Sequence, residues 1–249
     1  MNSFIGIVPS RYASTRFPGK PLVKIGNKPM IQLVYEQAQK AISEVYVATD
    51  DERIYSAVQN FGGRAVMTSP NHQSGTDRCF EAYQKIGSRA EVIINIQGDE
   101  PFIQPEQIET LKDCFLLHET QIATLVKPYA VEETFEDLAN PNTPKVVINN
   151  RMEAMYFSRS IIPYLRSVDR RQWIEKHAYY KHIGLYAYRA NVLKEIVQLE
   201  PSLLEKAESL EQLRWLENGY KIKVGITKHH SIGIDTPEDL ERAREMILG

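Results

Sequence analysis

The chain has 249 residues, with 30 Lys and Arg against 32 Asp and Glu, a net charge of -2, and 43% hydrophobic and 25% charged residues. These are globular proportions with enough core to fold without disulfides or a structural metal, and the balanced charge excludes a nucleic-acid protein that works through a strongly basic face. Cys79 and Cys114 fit no zinc or redox spacing, no apolar run approaches the about 20 residues of a membrane helix, and Phe4 to Val8 stops at Pro9 without forming a leader, so a soluble, reduced, cytoplasmic protein is expected.

Short apolar runs alternate with helical periods along the first half of the chain. Phe4 to Val8 reads as a buried strand, followed by a polar, Gly/Pro-punctuated loop from Ser10 to Lys28. Pro29 is expected at the first position of a helix whose Met30, Leu33, Val34 and Ala38 recur at helical spacing. Strands are expected at 45–49, 65–68 and 92–96, with helices at 52–61, 76–86 and from Pro105. That order implies parallel strands joined by right-handed crossovers, with ligands beyond the carboxyl ends of the strands. After about Gln121 the rhythm turns sheet-rich, with strands expected at 122–126, 145–148, 154–157 and 183–188. Asn149-Asn150-Arg151 suggests a tight turn. Ser167 to Ala178 is charged and is expected to be a mobile insertion. A helix over 203–217, a strand over 222–226 and a last helix opened by Thr236-Pro237-Glu238-Asp239 complete the chain.

Four segments carry chemistry. Pro9-Ser10-Arg11-Tyr12-Ala13-Ser14-Thr15-Arg16-Phe17-Pro18-Gly19-Lys20-Pro21-Leu22 places three cations, hydroxyls and a glycine just past a buried strand. A polyphosphate needs such a set, with amides for its oxygens and Arg and Lys for its charge. The Walker and dinucleotide fingerprints are both absent. Gln97-Gly98-Asp99-Glu100-Pro101 ends the most apolar strand and offers carboxylates to a hard cation. Gly233-Ile234-Asp235-Thr236 puts a second carboxylate just before a helix cap, and convergence of Asp99 and Asp235 on one metal is an expectation from their strand-end positions. His72-Gln73-Ser74-Gly75-Thr76-Asp77-Arg78 lets a backbone approach a flat base closely; the same residues serve equally well as a helix cap through Ser74 or Thr76.

Taken together with Tyr156-Phe157-Ser158-Arg159, His182-Ile183-Gly184-Leu185-Tyr186, Leu210-Glu211-Gln212-Leu213-Arg214 and Asp235-Thr236-Pro237-Glu238-Asp239-Leu240, these blocks resemble the CMP-Kdo synthetase (3-deoxy-manno-octulosonate cytidylyltransferase) family over almost the whole chain. The resemblance implies an α/β, Rossmann-like nucleotidyltransferase with a mostly parallel central sheet flanked by helices and a smaller sheet-rich lobe. It implies one domain over 1–249, with 1–120 mainly binding CTP, 121–200 forming the sugar-binding and dimerisation lobe, and 201–249 returning to the core.

The implied reaction is Mg²⁺-dependent transfer of CMP from CTP to the sugar acid Kdo, for lipopolysaccharide synthesis by a cytoplasmic homodimer without nucleic-acid or membrane partners. By motif, Arg11, Lys20, Asp99 and Asp235 are the expected catalytic residues, and Asp99 and Asp235 the metal ligands. Arg11, Ser14, Arg16, Lys20, Ser74, Gly75, Arg78 and Gln97 are expected on CTP. Gln97, Arg159, His182, Glu211 and Gln212 are expected on the sugar. Lys181 stands where the family is expected to carry Arg, which loses the guanidinium fork. The alternatives are a CMP-sialic acid or 8-amino-Kdo cytidylyltransferase, disfavoured for sialic acid by Phe17-Pro18-Gly19-Lys20-Pro21, and a non-catalytic nucleotide-binding protein, disfavoured by the full set of carboxylates and loop cations.

Overall fold

A computed structural model describes residues 2–13, 17–229, 233–234 and 236–248. The first elements are β1 (Phe4–Ser10), β2 (Lys24–Ile25), β3 (Lys28–Pro29), α1 (Met30–Gln39), β4 (Val45–Thr49), α2 (Glu52–Asn60), β5 (Ala65–Met67), α3 (Gly75–Ile86), β6 (Val92–Asn95) and α4 (Pro105–Asp113). Then come β7 (Ile122–Pro128), α5 (Phe135–Ala139), β8 (Lys145–Ile148), β9 (Ala154–Ser158), α6 (Trp173–Lys176) and β10 (Tyr180–Arg189). The chain closes with α7 (Ala190–Ile196), α8 (Leu203–Glu208), α9 (Gln212–Glu217), β11 (Ile222–Ile226) and α10 (Pro237–Leu248). No helix among the described residues is long and apolar enough to cross a membrane.

The chain forms two units, one of residues 1–109, 187–197 and 231–249 and the other of 110–186 and 198–230. In the first, β6, β1, β4 and β5 lie side by side, and each adjacent pair is parallel. The continuous apolar runs foreseen for these strands follow from burial on both faces: Ile5, Ile7, Val8, Val45, Val47, Val92, Ile93 and Ile94 are all fully buried. Helices α1, α2, α3 and α7 pack on these strands. In the second unit, β11 pairs with β7 in parallel, while β8 pairs antiparallel with both β9 and β10. The sequence expectation of a mostly parallel sheet flanked by helices, with an antiparallel sheet-rich part, is met.

Several local expectations change. Pro29 is the extended residue that caps α1, not its first helical residue. The loop after β1 contains a 3-10 turn at Lys20–Leu22 and a small hairpin of β2 and β3. The helix expected over 203–217 is two helices, because Ser209 adopts a left-handed φ of 51° between α8 and α9. The charged stretch 167–178 contains α6, anchored by Trp173, which is buried beside Tyr129, Leu138 and Tyr179. The turn at 149–151 is present: Met152 N–H donates to the Asn149 carbonyl at 3.0 Å and Arg151 N–H to Asn149 Oδ1 at 2.8 Å.

Gly225 of β11 shows how closely the second unit is packed. A Cβ built there would stand 2.8 Å from Leu125 Cδ2 and 3.1 Å from Thr110 Cγ2, with Leu125 its cross-strand partner. Gly225→Ala is therefore expected to cost about 1–3 kcal/mol by overpacking. A thermal melt reads this directly, and an unchanged midpoint would show that the sheet yields without strain.

Candidate active site

Parallel pairing in the first unit sends the ends of β1, β4 and β6 to one sheet edge, so the segments beginning at Arg11, Asp50 and Ile96 emerge together. The 3-10 turn that begins at Lys20 returns the first loop to this edge. There Lys20 Nζ donates to Asp99 Oδ2 at 2.8 Å, joining two of the segments singled out in the sequence. The Asp99 carbonyl accepts the Ile234 N–H at 2.9 Å, which brings the chain just before Asp235 alongside Asp99. Asp235 itself, like Ser14 and Arg16, lies outside the described residues.

A hollow of about 150 Å³ opens at the same edge, and Ser10, Arg11, Ser74, Gly75, Arg78 and Gln97 are among its walls. Five of the residues expected on CTP thus share one cavity. Ser74 is also the cap of α3: its Oγ accepts the Asp77 N–H at 3.1 Å and its own N–H meets Asp77 Oδ2 at 3.3 Å. The helix-cap reading of this segment is met, and the cap leaves Ser74 and Gly75 in the cavity wall. Arg78 is buried, and its guanidinium donates to Thr68 Oγ1 at 2.6 Å and Asp50 Oδ2 at 2.9 Å. Its fork is spent on bracing the wall.

Ser10, His72 and Gln73 also stand in the wall; they belong to the segments named in the sequence but were assigned no ligand. Ser10 is buried, and its Oγ has no partner among the described residues. A buried hydroxyl left unpaired is uncommon, and one in a cavity wall is poised for a ligand. His72 and Gln73 also line the hollow, and the His72 imidazole bonds to Glu81. Burial pushes the Glu81 carboxyl up, but Lys85, the Ser69 amide at 2.8 Å and His72 outweigh it and bring it to about 2. The signal for all three lay in their adjacency to Arg11 and Ser74.

The residues expected on the sugar lie in the second unit, apart from Gln97. Arg159 follows β9, and its guanidinium donates to three carbonyls, those of Glu208 at 2.6 Å, Pro141 at 2.9 Å and Ser209 at 3.2 Å. The Glu208 carboxylate instead takes the Arg159 N–H at 2.9 Å and the Ser158 hydroxyl at 2.6 Å. Lys145, which the sequence reading passed over, is fully buried and donates to the Asn140 carbonyl at 2.9 Å. Burial pushes its ammonium down to about 8, against the pull of Glu208 and with the push of Arg159.

On β10, His182 lies edge-on to Phe157, tilted against Tyr186 at 5.3 Å, and Tyr186 meets Trp215 of α9 at 5.2 Å. The aromatic chain ties His182 to the helix that begins with Gln212. Gln212 is buried, and its Nε2, at an expected ligand position, has no partner among the described residues. Glu211 immediately precedes that helix. Lys181 is on the opposite face of β10 from His182, since side chains alternate. It pairs with Glu133 and lies 4.4 Å from the Tyr129 ring centroid, so the missing guanidinium is answered by an internal ion pair.

The Thr124 hydroxyl lies 3.1 and 2.9 Å from the carbonyls of Ile183 and Leu185, and 3.2 Å from His182 Nε2. With its one proton given to a carbonyl, the hydroxyl accepts from Nε2–H, leaving Nδ1 as an acceptor. Burial pushes the imidazole down to about 3 from its ordinary 6.5. The fold therefore favours the neutral ring. Its contribution to stability is complete above about pH 6.5, where the unfolded chain is also neutral, and fades as pH falls toward 3. His182→Gln is expected to flatten the fall in melting temperature between pH 6.5 and 4 relative to the parent. Parallel pH profiles for the two proteins would contradict this.

A family model described as cytidylyltransferase matches residues 5–222. The chain is 67% identical to 3-deoxy-manno-octulosonate cytidylyltransferase of Parabacteroides distasonis over 98% of this chain and 97% of that one. It is 62% identical to the protein of the same description from Bacteroides thetaiotaomicron, covering 98% of each. Among solved structures, one of CMP:2-keto-3-deoxy-manno-octonic acid synthetase complexed with CTP superposes with a TM-score of 0.90 at 45% identity, covering 99% of this chain and 98% of the other. A 4-diphosphocytidyl-2C-methyl-D-erythritol synthase from Anaerococcus prevotii, at 12% identity and a TM-score of 0.61 over 99% of both chains, shares the fold alone. With the hollow, the ion pair at its sheet edge and these likenesses in place, the chain belongs to the 3-deoxy-manno-octulosonate cytidylyltransferase family.

Proposed function

We propose that this protein transfers CMP from CTP to Kdo and releases diphosphate, supplying an activated sugar for lipopolysaccharide synthesis. The observation that carries the reading is the Lys20–Asp99 pair at 2.8 Å beside a cavity walled by Arg11, Ser74 and Gln97. The base and ribose are read by the hollow, where Ser74 and Gly75 open α3 and present backbone groups. Arg11 and Lys20, with Arg16, meet the triphosphate. In the reaction the anomeric oxygen of Kdo bonds to the α-phosphorus as the bond to the bridging α–β oxygen breaks, and negative charge collects on departing diphosphate. Fixed cations at that point lower the barrier without any covalent enzyme intermediate.

Asp99 supplies the hard oxygen that a magnesium ion prefers, and an ion of this kind needs only one or two carboxylates besides substrate phosphates. Asp99 and Asp235 would hold it, and it would offset the repulsion between sugar carboxylate and triphosphate and acidify the attacking hydroxyl. On the sugar, Arg159 meets the carboxylate, and neutral His182, Glu211 and Gln212 address hydroxyls. The same family resemblance supports a homodimer in the cytoplasm.

Diphosphate release from CTP with Kdo, 8-amino-Kdo and sialic acid side by side tests the reading. Kdo is expected to be the best acceptor; preference for either of the others would overturn the assignment. Asp99→Asn is expected to lower kcat by about 10²–10³-fold at saturating magnesium and unchanged melting temperature. A near-normal turnover in that variant would remove Asp99 from the chemistry.

A further inference from the structure

We propose that Arg53, at the start of α2, is a positioning residue for the phosphate-facing loop and acts through the ring of Tyr12 without touching nucleotide. The inference rests on the CTP reading above. In the loop that carries Arg11 and Lys20, the Gly19 N–H donates to the Tyr12 carbonyl at 3.0 Å and joins its two ends. Gly19 has a φ of +72°, and a Cβ on it would lie 3.0 Å from Tyr12 Cζ, so the Tyr12 ring packs directly on this glycine. Any larger residue would be strained there and would push the ring away. Lys20 follows at once, bonded to Asp99. The position of the Tyr12 ring therefore bears on where both flanking cations stand.

Arg53 fixes that ring. Its guanidinium carbon lies 3.3 Å from the Tyr12 ring centroid. It is held in turn by Asp51: Arg53 Nε donates to Oδ1 at 2.9 Å and Nη2 to Oδ2 at 2.6 Å. The Asp51 Oδ1 also accepts the Arg53 backbone N–H at 2.9 Å, the cap of α2. A two-pronged carboxylate contact restricts a guanidinium far more than a single one. The line from Asp51 through Arg53 and Tyr12 to Gly19 thus ties the loop to the first turn of a helix packed on β4 and β5. The Arg53 side chain is 59% exposed, so the contact adds little to global stability. Its effect is local, on the placement of the loop.

Four variants, Arg53→Ala, Arg53→Lys, Tyr12→Ala and the double variant R53A/Y12A, test this with full-length protein. Arg53→Ala is expected to raise KM for CTP about three- to tenfold, the order lost with one cation–π contact, with kcat within about twofold. Its melting temperature stays near the parent's, and Arg53→Lys recovers part of the affinity by returning a cation to the ring. Because the two residues act in one line, R53A/Y12A is expected to be no worse than Tyr12→Ala alone. Multiplying effects in the double variant would place Arg53 on the nucleotide or on another path and overturn the proposal. A second readout needs no nucleotide: Arg53→Ala should speed hydrogen exchange at the Gly19 amide. Unchanged exchange would refute the clasp, whereas faster exchange in a protein that does not turn over CTP would uphold the clasp and dismiss the CTP reading.

Discussion

One constraint organises the first unit, the parallel pairing of its buried strands, and it lets one ion pair join segments 79 residues apart in the chain. Lys20 belongs to the loop after β1 and Asp99 to the segment after β6, and these strands lie next to each other in parallel. Parallel pairing makes such a meeting unavoidable, because both strands deliver their following residues to the same edge. Asp99 takes the Lys20 ammonium on its side chain and the Ile234 amide on its carbonyl, so three remote segments close on one residue. The Asp99 carboxylate and carbonyl are thus held by hydrogen bonds from two sides, just beyond the end of β6.

The second unit solves a different problem, the holding of polar groups in a dense setting. Thr124 accepts from neutral His182 and donates to β10, and the rings of Phe157 and Tyr186 pack on the imidazole, with Trp215 behind Tyr186. Lys145 and Lys181 are cross-strand neighbours on β8 and β10. Each is buried, and each finds its own answer, one in a carbonyl and the other in Glu133 and the Tyr129 ring. Gln212 keeps an unpaired buried amide nitrogen among the described residues, as Ser10 keeps an unpaired hydroxyl in the first unit. Asn95 Oδ1 in the first unit and the Tyr129 hydroxyl in the second share that state among the described residues, but of the four only Gln212 is a residue the sequence motifs expect on a substrate.

Strands β1 and β6 were legible because burial on both faces demands unbroken apolar runs, and no helix of that length could use them. The Ser74 cap was legible as one of two readings of its motif, since capping is local chemistry. The break between α8 and α9 was not: Leu203, Leu210, Leu213 and Leu216 keep a helical period across it, while the left-handed turn at Ser209 goes with tertiary bonds to Arg159 that spacing does not show. Nor was the burial of Lys145, because nothing in Lys145 to Ile148 shows that a charged residue would be enclosed. The contact of Arg53 with Tyr12 leaves no trace in spacing, since it joins a helix start to a loop through space. Motif resemblance supplied the residues expected on the sugar, and the structure supplied the reason they hold their orientations.

Ser209 carries a consequence of its own. By interrupting the helix it turns the carbonyls of Glu208 and Ser209 toward Arg159, which therefore has its fork aimed by neutral oxygen atoms. An arginine steered this way is oriented yet not quenched, for no carboxylate is bonded to its guanidinium among the described contacts. Charge and direction have been separated: the kink furnishes the aim through neutral carbonyls, while the Glu208 carboxylate is held on the backbone N–H of Arg159 and not on its guanidinium.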